Sequence, residues 1–235
     1  MKGAFLSDKV PGIIAIIAVA LGAYWASNSA AEKAVSLPAP AYDAAVATTQ
    51  ETAVFAGGCF WGVQAVFQHT AGVLNAVSGY AGGARETANY ERVTSGQTGH
   101  AEAVQVTYDP RQISYGKLLQ IFFAVAHDPT QLNRQGPDHG TQYRSALFWR
   151  NAGQKEVAER YIAQIEAARA FPGKIVTQLA PLSTFYPAED YHQDYATLHP
   201  RSAYIVAFDA PKIANLKQLM PEVYREKPAL VAAQK

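Results

Sequence analysis

Glu51-Thr52-Ala53-Val54-Phe55-Ala56-Gly57-Gly58-Cys59-Phe60-Trp61-Gly62-Val63-Gln64-Ala65-Val66-Phe67 is the stretch on which the fold turns. An unbroken apolar run, Thr52 to Ala56, has the character of a short buried strand and stops at two glycines. Beyond them the period changes: Phe60, Val63 and Phe67 recur at helical spacing, so a helix is expected to begin at Cys59. Working outward, Val73–Tyr80 is expected as a second strand. The glycine-rich segment from Gly79 to Gly99 is expected as a long loop, a place where function concentrates. His100–Tyr108 alternates clearly and ends at Asp109-Pro110, giving a third strand. Ser114 is placed to cap a helix carrying Leu118, Leu119, Phe122 and Val125. A fourth strand is expected over Gln142–Arg150, then a helix over Ala152–Ala170 and a strand near Ile175–Leu179. The order strand-helix-strand-strand-helix-strand is that of a split βαβ plait. The fold class is therefore α/β: a two-layer α+β, ferredoxin-like plait with C-terminal extensions.

Composition bounds the rest. Of 235 residues, 49% are hydrophobic and 17% charged, which allows a substantial core. A net charge of +1 with no basic stripe gives no case for a nucleic-acid partner. A single cysteine rules out an internal disulfide and any zinc site built on several cysteines. The six histidines are scattered without ligand spacing, so no metal site is expected. Lys2 and Lys9 flank an apolar run from Val10 to Ala26, the pattern of a secretory signal or an N-terminal membrane anchor, which gives residues 1–26 that role. The run is slightly shorter than the roughly 20 residues that cross a bilayer comfortably. Residues 27–50, rich in alanine with Pro38 and Pro40, are expected as a linker. The catalytic domain is expected over 51–221, with a tail at 222–235. The expected location is outside the cytoplasm: a bacterial periplasm, free or tethered through residues 10–26. Nothing in the sequence calls for more than a monomer.

The chemistry gathers around Cys59. A thiol at a strand-to-helix turn meets backbone N–H groups and the helix dipole, both of which favour the thiolate. The alternative is an inert core thiol. Phe60 and Trp61, two large rings in succession, cannot both face one core, so at least one is expected to line a pocket. On the third strand Glu102 shares a face with Val104, Val106 and Tyr108. A carboxyl desolvated in this way has a raised pKa and suits a general acid. Tyr143 aligns with Ser145, Leu147 and Trp149 on the expected fourth strand, and its hydroxyl needs a partner if buried.

Gly58-Cys59-Phe60-Trp61-Gly62 resembles the signature of the type A peptide methionine sulfoxide reductases. The likeness extends through Gly79-Tyr80-Ala81-Gly82-Gly83, Tyr90, Thr98 to Val104, His127-Asp128-Pro129, Asp138 to Ser145 and Ala188 to Gln193. The resemblance implies that Cys59 attacks the sulfur of methionine S-sulfoxide, that Glu102 donates a proton, and that Tyr90 and Tyr143 hold the oxygen. It implies that Phe60 and Trp61 cradle the terminal methyl group and that Asp138 anchors the pocket. The product is methionine and a sulfenic acid on Cys59. Many members carry resolving cysteines near the C-terminus, and this chain has none. The resemblance therefore implies no bound cofactor and an external, thioredoxin-like thiol reductant. Two places where members often hold cysteine and proline carry Thr94 and Ala88, the latter just before Tyr90. His192 stays outside the expected catalytic set. Competing readings are a cysteine acyl-transferase or amidase pairing Cys59 with His100 or His192, and a non-enzymatic exported module that binds peptides.

Overall fold

A computed structural model describes residues 33–44 and 48–231, so the expected export segment, residues 1–26, lies outside the described residues. The elements in order are β1 Glu51–Gly57, α1 Phe60–Gln68, β2 Val73–Ala81, α2 Tyr90–Val93, β3 Ala101–Tyr108 and α3 Tyr115–Ile121, with a wider turn at Phe122–Ala126. There follow β4 Arg134–Gln135, β5 Asp138–His139, β6 Ser145–Trp149, α4 Ala152–Ala167, β7 Gln178–Pro181, β8 Phe185–Pro187, α5 Tyr195–Leu198 and α6 Ala210–Leu219. Six strands make one sheet in the order β7-β6-β1-β3-β2-β8, and β4 pairs only with β5. Its centre, β6-β1-β3-β2, is antiparallel throughout and interleaves two strand-helix-strand units, as the sequence pattern predicts. β7 adds in parallel beside β6, and β8 adds antiparallel beside β2.

Alternation along the strands separates two apolar faces. Ala53, Phe55, Val104, Val106, Tyr108 and Leu147 face the helices and form the main core with Phe67, Leu118, Leu119 and Phe122. The opposite face is mostly alanine: Ala56, Ala81, Ala101, Ala103 and Ala146, with Val54 and Phe148. That composition fits a constraint from the connectivity. Only Leu182–Thr184 join β7 to β8, which lie at opposite edges of the sheet. Four residue steps reach about 14 Å, whereas the edges of six flat strands stand about 24 Å apart. The sheet must curl, and small residues let its concave face close upon Leu182 and Phe185.

Three expectations shift in detail. The long loop after β2 contains two short helical turns, one of them α2, and Asn89 caps that helix by accepting the Arg92 N–H at 3.1 Å. α4 ends at Ala167 because Arg169 takes a left-handed backbone at φ 51°, which turns the chain. The fourth main strand starts at Ser145, since Thr141–Tyr143 form a tight helical turn after Gly140.

Part of the expected linker is docked on the domain. The Val35 N–H donates to the Ala124 carbonyl at 2.9 Å, and Leu37 is buried. Gln120 donates to the Leu37 carbonyl at 2.8 Å, Tyr161 to Pro38 at 3.0 Å and Gln164 to Ala39 at 2.8 Å, while the Gly116 N–H donates to Asp43 at 3.0 Å. Alanine and proline give this strap no period of its own. Its order comes from polar side chains on α3 and α4. The tail is docked as well: Arg225 donates to the carbonyls of Gln68 and Val73, and the Val231 N–H donates to Asp194.

Candidate active site

β1 delivers the chain to Cys59 through Gly58, whose φ of 91° and contact with Gln135 leave no room for a side chain. Cys59 is the N-cap of α1 and is 8% exposed. The Trp61 N–H at the helix start favours the thiolate, as expected. Burial raises the thiol well above its ordinary value, however, and the carboxyls of Glu102, Asp209 and Asp138 add to this. The resting group is therefore a thiol, because desolvation outweighs the helix terminus.

Glu102 lies opposite Tyr80 in the β2–β3 ladder, on the face that meets the helices. It is 2% exposed, and its Oε2 accepts the Phe60 N–H at 3.1 Å. Burial pushes its carboxyl up to about 8 against the opposing effect of that amide, with Asp138 and Asp209 raising it further. At neutral pH it holds a proton.

Tyr90 opens α2. Its N–H donates to Glu189 Oε1 at 2.9 Å, and the other oxygen of Glu189 accepts the Tyr80 hydroxyl at 2.8 Å. The loop tyrosine is thus anchored although Ala88 stands two residues before it. Tyr143 does not share a strand face with Ser145; it ends the Thr141–Tyr143 turn. Arg144 holds that turn by donating to the carbonyls of Gly99, His100 and Thr141 at 2.9, 3.1 and 2.8 Å. Burial raises both phenols, and Glu102 and Cys59, once ionised at higher pH, raise them further. Both hydroxyls remain donors.

Phe60 is fully buried between Tyr80 and His192, with ring centroids at 5.9 and 5.0 Å. Trp61 is half-buried and stacks on Tyr195 at 3.8 Å. Its indole N–H donates to His192 Nδ1 at 3.2 Å, and Tyr204 meets it edge-on at 5.8 Å. The Tyr204 hydroxyl donates in turn to Asp138 on β5, a carboxyl that burial raises. The structure thereby gathers Cys59, Phe60, Trp61, Tyr90, Glu102, Asp138 and Tyr143 around one centre. It adds groups that sequence reasoning did not assign: Arg144, Glu189, His192, Tyr195 and Tyr204. Glu189 and His192 fall in a block the resemblance flagged. Nothing in its periodicity distinguishes them.

The acyl-transferase alternative requires a histidine at the thiol. His100 is occupied by the Gly83 N–H at 3.2 Å and the Ala84 carbonyl at 2.9 Å, and His192 Nδ1 is taken by Trp61. No histidine bonds Cys59 among the described residues, where no cluster of potential metal ligands occurs either.

Residues 51–223 match the family model described as peptide methionine sulfoxide reductase. The chain is 60% identical over 189 residues to peptide methionine sulfoxide reductase MsrA 2 of Mesorhizobium japonicum, covering 80% of this chain and 97% of the relative. It is 54% identical over 169 residues to MsrA of Deinococcus radiodurans, covering 72% and 82%. Among solved structures, Mxr1 of Saccharomyces cerevisiae in reduced form superposes with a TM-score of 0.60 at 34% identity, over 69% of this chain and 92% of that one. Methionine sulfoxide reductase A of Corynebacterium diphtheriae gives 0.56 at 34% identity, over 73% and 89%. With this site at its centre, the chain belongs to the type A peptide methionine sulfoxide reductases and is a peptide-methionine sulfoxide reductase.

Proposed function

We propose that the enzyme reduces the S epimer of methionine sulfoxide through a sulfenic acid on Cys59, and that an external thioredoxin-like dithiol regenerates it. The observation that carries this reading is the Glu102 carboxyl, buried against the Phe60 N–H beside the buried thiol, where burial pushes it up to about 8. A sulfoxide sulfur accepts a nucleophile only when its oxygen is relieved of negative charge. Glu102 gives that oxygen a proton while the hydroxyls of Tyr90 and Tyr143 hold it. The Cys59 sulfur attacks as its own proton passes to the Glu102 carboxylate that has just given one up, and Phe60 and Trp61 fix the methyl group so that one epimer presents its sulfur.

The balance is Cys–SH plus sulfoxide giving Cys–SOH plus methionine. Two external thiols then return Cys–SH, with a disulfide and water as products. The chain holds one cysteine, so no second thiol within it can condense with the sulfenic acid. Location belongs to the same proposal. The basic start and apolar run over residues 10–26 support export of a monomeric enzyme, and N-terminal sequencing of the mature protein decides between cleavage and a retained tether.

The test is single turnover on separated S and R sulfoxide peptides without reductant. One methionine per chain is expected from the S epimer only, with Cys59 becoming reactive to dimedone. Repeated turnover is expected once thioredoxin or dithiothreitol is added. Equal activity of Cys59→Ser overturns the mechanism, and turnover of the R epimer alone overturns the epimer assignment.

A further inference from the structure

Beneath the first turn of α1 lies a pair of charges that the sulfoxide chemistry does not use. Asp209 is fully buried, and Lys212, at i+3, is 4% exposed; Oδ1 and Nζ are 3.4 Å apart. Neither oxygen of Asp209 has a hydrogen-bond partner among the described residues, so the ion pair is its main compensation. The pair presses directly on the nucleophile helix at Gly62, three residues after Cys59. A Cβ built at Gly62 would overlap Asp209 Oδ1 and would stand 3.0 Å from Lys212 Nζ. A buried ion pair is costly to desolvate and is rarely neutral when broken, since the remaining charge is left uncompensated.

The surroundings of Cys59 show what that charge would act upon. Carboxyls face it from three elements: Glu102 on β3, Asp138 on β5 and Asp209 at the start of α6. The phenols of Tyr90, Tyr143 and Tyr204 also couple to it, and burial keeps all three protonated. His192, beside Trp61, is held neutral by burial. Arg144 stands beyond Tyr143, its guanidinium engaged by three backbone carbonyls. Lys212 is the cation paired within this carboxyl cluster, and its charge also acts on Asp138.

We propose that Lys212 is a positioning residue for the reductase chemistry: paired with Asp209 against Gly62, it offsets the buried carboxyl field and keeps Cys59 able to release its proton. The proposal rests on Cys59 as the nucleophile, yet its primary readout, alkylation, does not require a sulfoxide.

With one cysteine in the chain, the pH profile of iodoacetamide alkylation reports Cys59 alone. In the full chain, Lys212→Met is expected to move the profile to higher pH and to slow alkylation at pH 8 about tenfold, the effect of one pKa unit. Asp209→Asn is expected to move it the opposite way and to speed alkylation. The double variant should return close to the wild-type profile, as should Lys212→Arg. Shifts of the same sign in both single variants, or no shift in either, overturn the proposal and reduce the pair to packing. If Lys212→Met fails to fold by circular dichroism, Asp209→Asn alone decides, and an unmoved or raised profile is the contrary result. Opposed shifts in a protein that forms no methionine would leave the pair standing and defeat the sulfoxide reading.

Discussion

Phe60 and Glu102 are joined by one hydrogen bond from backbone to side chain across 42 residues: the amide that follows Cys59 donates to the Glu102 Oε2 at 3.1 Å. The first N–H of α1 has no partner within the helix, and it finds one in a carboxyl that β3 brings to the same point. The proposed nucleophile and proton donor are thereby tied together through the first amide of the helix.

The first expectation concerns rate against pH. In the proposed mechanism Glu102 works in its acid form, and burial pushes its carboxyl up to about 8. The single-turnover rate of methionine formation should therefore fall as pH rises through about 8. Glu102→Gln should lower that rate by about 100-fold and remove the alkaline limb, while alkylation of Cys59 persists. An alkaline limb unchanged in the Gln variant would assign it to another group.

The same substitution has an opposite effect on stability. The folded carboxyl is raised from 4.5 to about 8, so its stabilising contribution is present below 4.5 and is lost as pH rises through about 8. Glu102→Gln removes this loss and can still accept the Phe60 N–H. Thermal melts should show the variant gaining on wild type between pH 5 and pH 9. A variant that lost ground to wild type over that range would contradict the buried acid.

The strap gives a third expectation. Leu37 is 7% exposed and seats the strap on the main core. Leu37→Ala should cost about 2 kcal/mol in urea unfolding, near the lower end for a buried leucine at the margin of a core. A chain begun at Glu51 should be destabilised by at least as much, yet still form methionine. Unchanged stability in both would mean that the strap merely lies on the surface.

Glu189 provides a fourth. It holds the Tyr90 amide and the Tyr80 hydroxyl together. Glu189→Ala should lower kcat about tenfold, equivalent to roughly 1.4 kcal/mol in the barrier. Combined with Tyr90→Phe, its effect should be less than additive, because the two act through one hydroxyl. Strict additivity in the double-mutant cycle would separate Glu189 from Tyr90.

The sequence made the central strands, α1 and the desolvation of Glu102 legible, because each depends on a local period. The pattern of β3 placed Glu102 beside Val104 and Val106, and that is the face the helices cover. Tyr143 reads as a strand residue in the sequence because the alternation of Ser145–Trp149 extends back to it, across the turn that Gly140 and Arg144 make. The protonated state of Cys59 has no local signal because it depends first on burial and then on Glu102, Asp209 and Asp138, all brought up by distant segments. The strap escaped for a related reason: residues 35–43 gain order from Gln120, Tyr161 and Gln164, and leave no periodic trace of their own.

The bond between Trp61 and His192 spans 131 residues, and the tail reaches back to Asp194 through Val231. This has a consequence for the order in which the protein is made. Cys59 leaves the ribosome early, while the residues that seat its neighbouring indole come from the final fifth of the chain. Until they arrive the thiol has no finished pocket, and a chain cut short before Tyr195 would carry the nucleophile without the platform beneath Trp61.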